Sequence, residues 1–289
     1  MLSRSDFRFH HRLRVQADSL GLMGQWPASR WLAALEEAVS EYRRRLGLSF
    51  PDHLQLWQGR IEQQRTQLEI VGQVHRDDLL EVGLRMQPDA QGRVKLVAAV
   101  FRQEDTVARL EQWWQWLDQP AGGATSAGPM PAALIQLIQA FETGEAMHTV
   151  KVGRWSELSA AAGSVRRQVF VEEQGIPEDL EWDDADADCL HAVAFNRMGE
   201  PLATGRLLEH VPGVAKIGRM AVVRSARGTR VGRAVLDALM DAARARGDGE
   251  VLLHAQTAAA GFYARAGFQT RGSVFHEVDI PHIEMVKAF

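Results

Sequence analysis

The segment VVRSARGTRVGRAVLDALMDAARARG, residues 222–247, carries the clearest chemistry in this chain. Three arginines, Arg227, Arg230 and Arg233, are interleaved with Gly228, Thr229, Val231 and Gly232. From there Val231, Val235, Leu236, Leu239, Met240 and Ala243 recur at steps of three and four, one apolar helical stripe. Gly247 stands where a left-handed C-cap would stop the helix. The spacing predicts a strand end, a basic turn and then a helix. The first turn of such a helix presents N–H groups at the positive end of its dipole, the chemistry that holds phosphate or pyrophosphate. Gly228 and Gly232 lack a Cβ, so an anion can approach the main chain closely. A surface helix with a basic start fits the same residues without any ligand.

The chain that positions this turn has 289 residues, 46% of them hydrophobic, and a net charge of −4. Its length suits two ordinary domains, each able to bury a core. The charge balance gives no general electrostatic case for nucleic acid. The single Cys189 excludes an intrachain disulfide and a cysteine-rich zinc site, and it fits a reducing compartment. No apolar run reaches the roughly 18 residues of a membrane span. The opening MLSRSDFRFHHRLRV lacks an apolar signal core. A cytoplasmic protein with no membrane partner and no metal is expected. The eight tryptophans are scattered and are expected to fill cores.

In chain order, Phe7–Val15 alternates like a half-buried strand. Trp31, Leu32, Leu35, Ala38, Val39, Tyr42 and Leu46 share one broad face and predict a helix over Arg30–Leu46, with Pro27 and Ser29 as start signals and Gly47 as the stop. Strands are predicted at Arg60–Val71, Leu79–Met86, Arg93–Phe101 and Thr106–Leu117. One strand, one long helix and four strands in succession suggest an antiparallel sheet wrapped on a helix. The Gly-, Pro-, Ala- and Ser-rich stretch 119–131 reads as a flexible loop before a last helix.

Past Glu142–His148 the pattern changes. TVKVGRW reads as a strand, followed by a helix with Ser156 as N-cap and Leu158, Ala162, Val165 and Val169 on one face. Gly175 and Pro177 break it. An acidic run from Glu178 to Asp188 reads either as a solvated loop or as a rim that attracts a cationic amine. It is not a calcium loop, because Cys189 and Phe195 stand where glycine and glutamate are required. Strands follow at Cys189–Asn196, Leu202–Glu209, Ala215–Val223 and Val251–Ala255.

The basic turn and its helix, with LHAQTAAAGFYARAGF (ending at Phe268), VFVEEQGIPEDLEWDDADAD and FHEVDIPHIEMV, resemble the GNAT acyltransferases over about Thr149–Phe289. The family's phosphate loop reads roughly Arg/Gln-x-x-Gly-x-Gly/Ala and here becomes Arg227-x-x-Arg230-x-Gly232. Arg230 replaces the middle glycine, and the backbone donor survives that change if φ there is negative. The resemblance implies acetyl-CoA as co-substrate and a small amine as acceptor. It implies that Met220, Ala221 and Val222 pair with the pantetheine arm and direct an N–H at the thioester oxygen. Residues Arg227 to Arg233 would hold the pyrophosphate. Tyr263 would donate a hydrogen bond to the departing thiolate. Glu173 is the first choice of general base, with Glu172 and His254 as the others.

RWLAALEEAVSEYRRRLGL and PMPAALIQLIQAF resemble the 4-hydroxybenzoyl-CoA thioesterase-like group of the hotdog fold over about residues 5–143. That group carries a pattern like Asp-x-Asp-x-x-Gly-His before its helix. Aligned on the helix, the carboxylate position falls on Gly21 and the histidine on Gln25. Asp18 is the nearest acid, and Glu36 and Glu37 on the helix are the other candidates for thioester hydrolysis. The resemblance also implies a homodimer or higher homo-oligomer. The expected fold is therefore α+β, with a hotdog domain at 1–145 and a GNAT mixed α/β domain at 146–289. The expected function is acetyl-CoA-dependent N-acetyltransfer to a small amine. An acyl-CoA thioesterase using Asp18 and a non-enzymatic acyl-CoA-binding scaffold remain open alternatives.

Overall fold

The structure, a computed structural model, describes residues 2–16, 25–48, 57–89, 91–119 and 124–289. Internal contacts divide the chain into two compact units, Met1–Met147 and His148–Phe289. Asp18 and Gly21 lie outside the described residues, so the loop acid of the thioesterase pattern has no structural account.

In the first unit the apolar face of the long helix α1 (Ala28–Arg45) buries Trp31, Ala34, Leu35, Ala38, Val39 and Tyr42, the i, i+3, i+4 spacing of one stripe. It begins directly after Pro27, with Ser29 inside its first turn, and Gly47 follows it at φ 77°. The strands are β1 (Phe9–Arg14), β2 (Gly59–Ile70), β3 (Leu79–Pro88), β4 (Arg93–Arg102) and β5 (Asp105–Asp118). They form an antiparallel sheet in the order β1-β3-β4-β5-β2. Register places Phe9, Leu84, Ala98 and Leu110 in one row across four strands. The Phe9 ring meets Tyr42 of α1 edge-on at 5.4 Å, so this is the face that wraps the helix. The hotdog arrangement is thus present, and Trp31 and Trp116 are fully buried within it.

The stretch expected to be a flexible loop is partly ordered. Ser126–Ala127 forms β6 and pairs with Leu117 and Asp118 of β5. The approach is close, since a Cβ on Gly128 would collide with the Asp118 carboxylate at 1.9 Å. Helix α2 (Ala132–Thr143) then ends on Gly144 at φ 91°. Tyr42 of α1 donates to Glu142 of α2 at 2.5 Å, and the same carboxylate oxygen accepts from the Met86 N–H of β3 at 3.0 Å.

In the second unit a seven-stranded sheet runs β12-β13-β11-β10-β9-β8-β7. Its members are β7 (His148–Arg154), β8 (Leu190–Asn196), β9 (Pro201–Val211), β10 (Val214–Val222), β11 (Glu250–Gln256), β12 (Gln269–Glu277) and β13 (Ile280–Ala288). Helix α3 (Trp155–Arg166) packs Leu158 and Ala162 on Val193. It starts one residue before Ser156. Arg154 is the cap residue, and its N–H donates to the Glu157 carboxylate at 3.1 Å, so Ser156 is not the cap. A π-helical turn, Arg167–Glu173, continues α3. Helix α4 is the short Glu178–Glu181, and α5 (Val231–Arg246) buries Val235, Leu236, Leu239, Met240 and Ala243 before stopping at Gly247, φ 93°. Helix α6 (Ala260–Ala264) carries Tyr263.

Only β10 and β11 run parallel to each other, and they pair from Val214–Glu250 to Ile217–Leu253 and no further. Beyond that point β10 stays with β9 as far as Val222–Ala203, while β11 stays with β13 as far as Gln256–His282. A bulge between Gly218 and Ala221, with Arg219 at φ 50°, accompanies the parting.

The Tyr42–Glu142–Met86 junction generates a stability prediction. Tyr42→Phe keeps the ring but removes a hydrogen bond to a half-buried carboxylate. The urea midpoint should fall by an amount equivalent to about 1–2 kcal/mol, with the slope unchanged. An unchanged midpoint would show that this bond contributes nothing.

Candidate active site in the second domain

The gap between β10 and β11 opens into two adjoining cavities. One, of about 770 Å³, runs along the start of α5 and is lined by Glu173, Val222, Arg227, Gly232 and Phe262. The other, about 260 Å³, is lined by Phe170, Lys216, Gly218, His254 and Glu277. Met220, Gln174, Gln256, Ala259 and Tyr263 line both. The larger cavity is called the groove below and the smaller one the cleft. The π-helical turn supplies both walls. Its wider winding sends Val169 and Glu173 to the groove and Phe170 to the cleft.

At the start of α5 the chain passes through two left-handed residues, Gly228 at φ 81° and Arg230 at φ 73°. The negative φ set as the condition for Arg230 to keep its backbone donor is therefore not what forms. The side chain replaces the glycine, but the glycine conformation is kept, at a cost of about 1–2 kcal/mol for a residue with a Cβ. What that conformation preserves is the direction of the main chain into the N–H groups of Val231, Gly232 and Arg233, the first helical turn. Gly232 is needed for packing as well, because a Cβ there would lie 2.9 Å from Val222. Thr229 turns inward, its hydroxyl donating to the Ala226 carbonyl at 2.6 Å.

The three arginines of the turn differ in their partners. Arg233 is held by Asp237 at 2.8 and 2.9 Å. Arg227 forks onto Glu173 with two bonds of 2.7 Å and reaches the Val222 carbonyl at 3.1 Å. Arg230 is exposed. The Arg227 hydrogen bonds hold the Glu173 carboxyl below the usual carboxylate range. Glu173 is thus a weakened base, already committed to a cation in the groove, which weighs against it as the general base.

His254 sits differently. It lies near the end of β11 on the cleft, with Nδ1 2.8 Å from the Glu277 carboxylate and Nε2 3.8 Å from Glu284. A carboxylate can only accept, so Nδ1 carries the proton in that contact and Nε2 is the basic nitrogen. Phe275 meets the ring edge-on at 4.9 Å. Glu277 was not singled out from the sequence. It lies 23 residues from His254, and only the β12–β13 hairpin brings the two together.

Tyr263 is 8% exposed, held edge-on by Phe262 at 4.9 Å and Phe268 at 6.1 Å. Burial pushes its phenol up to about 12.

The acidic run is divided: Glu178, Asp179, Asp184 and Asp188 are exposed, whereas Glu181 and Asp186 are buried. Arg166, 1% exposed, donates to Glu181 at 2.5 Å and to Asp186 at 2.8 Å. Its guanidinium lies over Trp182 at 4.6 Å and Trp155 at 5.5 Å. Arg206 reaches Asp183 at 2.6 Å and Asp186 at 2.8 Å, and Arg219 reaches Asp183 at 3.2 Å. Burial raises the Glu181 carboxyl against the pull of Arg166 and Arg219. The Arg206 hydrogen bond lowers Asp183. Three of the carboxylates expected to draw an amine, Glu181, Asp183 and Asp186, are instead spent on three arginines.

In the first domain, Glu37 of α1 meets His11 Nε2 at 3.0 Å, and Glu41 rather than Glu37 pairs with Arg44, at 2.6 Å. Glu36 lines a separate cavity of about 220 Å³ with Arg43, Gln63, Gln112 and Trp114.

Residues 170–289 match the family model described as the acetyltransferase (GNAT) domain. A Bacillus subtilis protein named as an acetyltransferase is 35% identical over 144 residues, which is 49% of this chain and 96% of that relative. The chain belongs to the GNAT acetyltransferase family. Among solved structures, an acyl-CoA N-acyltransferase from Pseudomonas aeruginosa is 34% identical, covering 49% of this chain and 99% of its own, with a TM-score of 0.44. A 1,4-dihydroxy-2-naphthoyl-CoA thioesterase from Synechocystis is 15% identical, covering 47% of this chain and 96% of its own, with a TM-score of 0.41.

The burial of Tyr263 in the GNAT domain can be read optically, because the chain has only two tyrosines. The other, Tyr42, is raised further still by burial and by Glu142. Absorbance of the native protein near 295 nm should therefore show no tyrosinate as pH passes 10, where a free phenol titrates. In guanidinium both should titrate near pH 10. Half of the signal appearing at pH 10 in the native protein would contradict the raised phenol.

Proposed function

We propose that the C-terminal GNAT domain transfers the acetyl group of acetyl-CoA to the nitrogen of a small amine. The observation that carries this reading is the meeting of two cavities at Tyr263, one beginning at a helix N-terminus and the other at His254. In this reading the diphosphate rests on the N–H groups that open α5, with Arg227 and Arg230 beside it. The pantetheine arm lies along Met220, Ala221 and Val222, in the place that a neighbouring strand would otherwise take. The thioester then reaches Tyr263, and the amine waits in the cleft.

The chemistry follows from those positions. In this reading His254, held by Glu277 through Nδ1, accepts the proton that the amine must lose. The amine nitrogen bonds to the thioester carbon and the C–S bond breaks. The departing sulfur takes a hydrogen bond from Tyr263. Full proton transfer is disfavoured, since a phenol at about 12 against a thiol near 8.5 makes the step uphill by about 5 kcal/mol. The thiolate takes its proton from solvent.

For the N-terminal hotdog domain the same proposal assigns self-association, not hydrolysis, because Gly21 occupies its carboxylate position. The long edge strand β2, twelve residues with mostly exposed side chains, supports that role.

Free-thiol release from acetyl-CoA tests the reading. Release should require an added amine. Tyr263→Phe should lower kcat by roughly tenfold with little change in the KM for acetyl-CoA, the effect of one lost hydrogen bond to a charged group. His254→Ala should lower kcat/KM by about 10²–10⁴. Thiol release that needs no amine and ignores both substitutions would overturn it.

A further inference from the structure

The cleft holds positive groups that the protein itself does not fully answer. Arg206, Lys216 and Arg219 line it beside two carboxylates, Glu181 and Glu277. Glu181 pairs with Arg166 at 2.5 Å and Arg219 at 3.3 Å, and Glu277 accepts a hydrogen bond from His254 at 2.8 Å. Arg206 is 6% exposed, and both of its terminal nitrogens are spent on Asp183 and Asp186. Its Nε–H, however, is buried and has no acceptor among the described residues. Such a donor costs about 1–3 kcal/mol while it stays unpaired.

The surroundings of that donor leave room for a ligand. Register sets Arg206 opposite Gly218, and a Cβ at residue 218 would meet nothing nearer than Arg206 Nε itself, at 3.9 Å. Glycine keeps the space over the donor clear. Lys216 lies two residues before Gly218 on β10. Among the described residues its ammonium has no carboxylate partner, and it stands 3.5 Å from His254 Nδ1. One orphaned N–H and one ammonium without a carboxylate partner among the described residues therefore line the same small space as the proposed base.

We propose that the acceptor is an amino acid-type molecule, a small amine that also carries a carboxylate. The carboxylate accepts from Arg206 Nε–H and pairs with Lys216, and this sets the amine beside His254. The inference rests on the acetyl-transfer reading above. One N–H and one ammonium match a single negative charge, whereas a phosphate dianion calls for a fuller set of donors. A cavity of about 260 Å³ lies below the range typical of drug-sized ligands, roughly 300–1,000 Å³.

The test is thiol release from acetyl-CoA with the common amino acids, each set against its own carboxamide. The preferred amino acid should exceed its amide in kcat/KM by roughly tenfold or more, the worth of one charge-assisted contact. Lys216→Met should raise the KM for that amino acid about tenfold while leaving the KM values for the amide and for acetyl-CoA unchanged. Gly218→Ala, which alters no charge, should do the same by covering the Arg206 donor. Equal use of acids and amides, or amino acid KM values that neither substitution moves, would overturn the inference and leave the transferase reading standing. No release with any amine would overturn both.

Discussion

The parting of β10 from β11 after Ile217 and Leu253 is the constraint on which the rest of the GNAT domain depends. Two parallel strands that stayed together would fill the space both cavities occupy. Each strand keeps its outer neighbour, β9 on one side and β13 on the other, so the sheet is not broken where it opens. The inner edges beyond the last shared pair are main-chain groups of strand geometry facing a gap. Backbone donors and acceptors seek partners, so such a gap suits an extended ligand with amide groups of its own. The bulge at Gly218–Ala221 sets the angle, and it needs Arg219 in a left-handed conformation, φ 50°.

What holds Arg219 there is the buried ionic cluster. Arg219 reaches the Glu181 carbonyl at 3.2 Å and the Asp183 carboxylate at 3.2 Å. Arg166 and Arg206 hold those acidic segments from the other side. Burying charges costs several kcal/mol per ion, and good geometry recovers that cost without a large surplus. The cluster therefore contributes direction more than stability. It fixes α4 and the following turn against β9 and β10, and an apolar replacement would fill the volume without setting the bulge. This is also why the pairing of Glu181, Asp183 and Asp186 is not legible in the sequence alone. Their partners lie 15 to 38 residues away along the chain, and a local charge pattern contains no information about them.

Legibility of the sequence followed the range of the interaction that decides each feature. The stripes of α1 and α5, the strand alternation and the stop at Gly247 are local, and they could be read directly. Tyr263 and the residues of the basic turn could be located because a family pattern spans them. Features set by tertiary contacts were not readable. The Glu277 partner of His254 depends on a hairpin, the β6 pairing depends on β5, and the π-helical turn inserts extra winding where apolar periodicity continues through Val169. The conformation of Arg230 is a further case. A residue type with a Cβ argues for negative φ, but the turn into α5 has one workable direction and imposes it.

That last point bears on how the groove attracts an anion. If net charge were the main agent, the arginines of the turn would be kept unpaired. Instead Arg227 is matched by Glu173 and Arg233 by Asp237, and both pairs are substantially exposed. An exposed pair is worth about 0–1 kcal/mol, so an incoming diphosphate can displace Glu173 from Arg227 at little cost. The costly element is the left-handed Arg230, retained although its side chain disfavours that conformation. A fold that tolerates strain in the main chain while neutralising its side-chain charge is favouring the aim of N–H groups over the sum of charges. In the proposed reading, recognition at this turn is therefore geometric first. The Glu173–Arg227 fork then keeps the arginine extended toward the groove, in place for a phosphate oxygen to take over from the carboxylate.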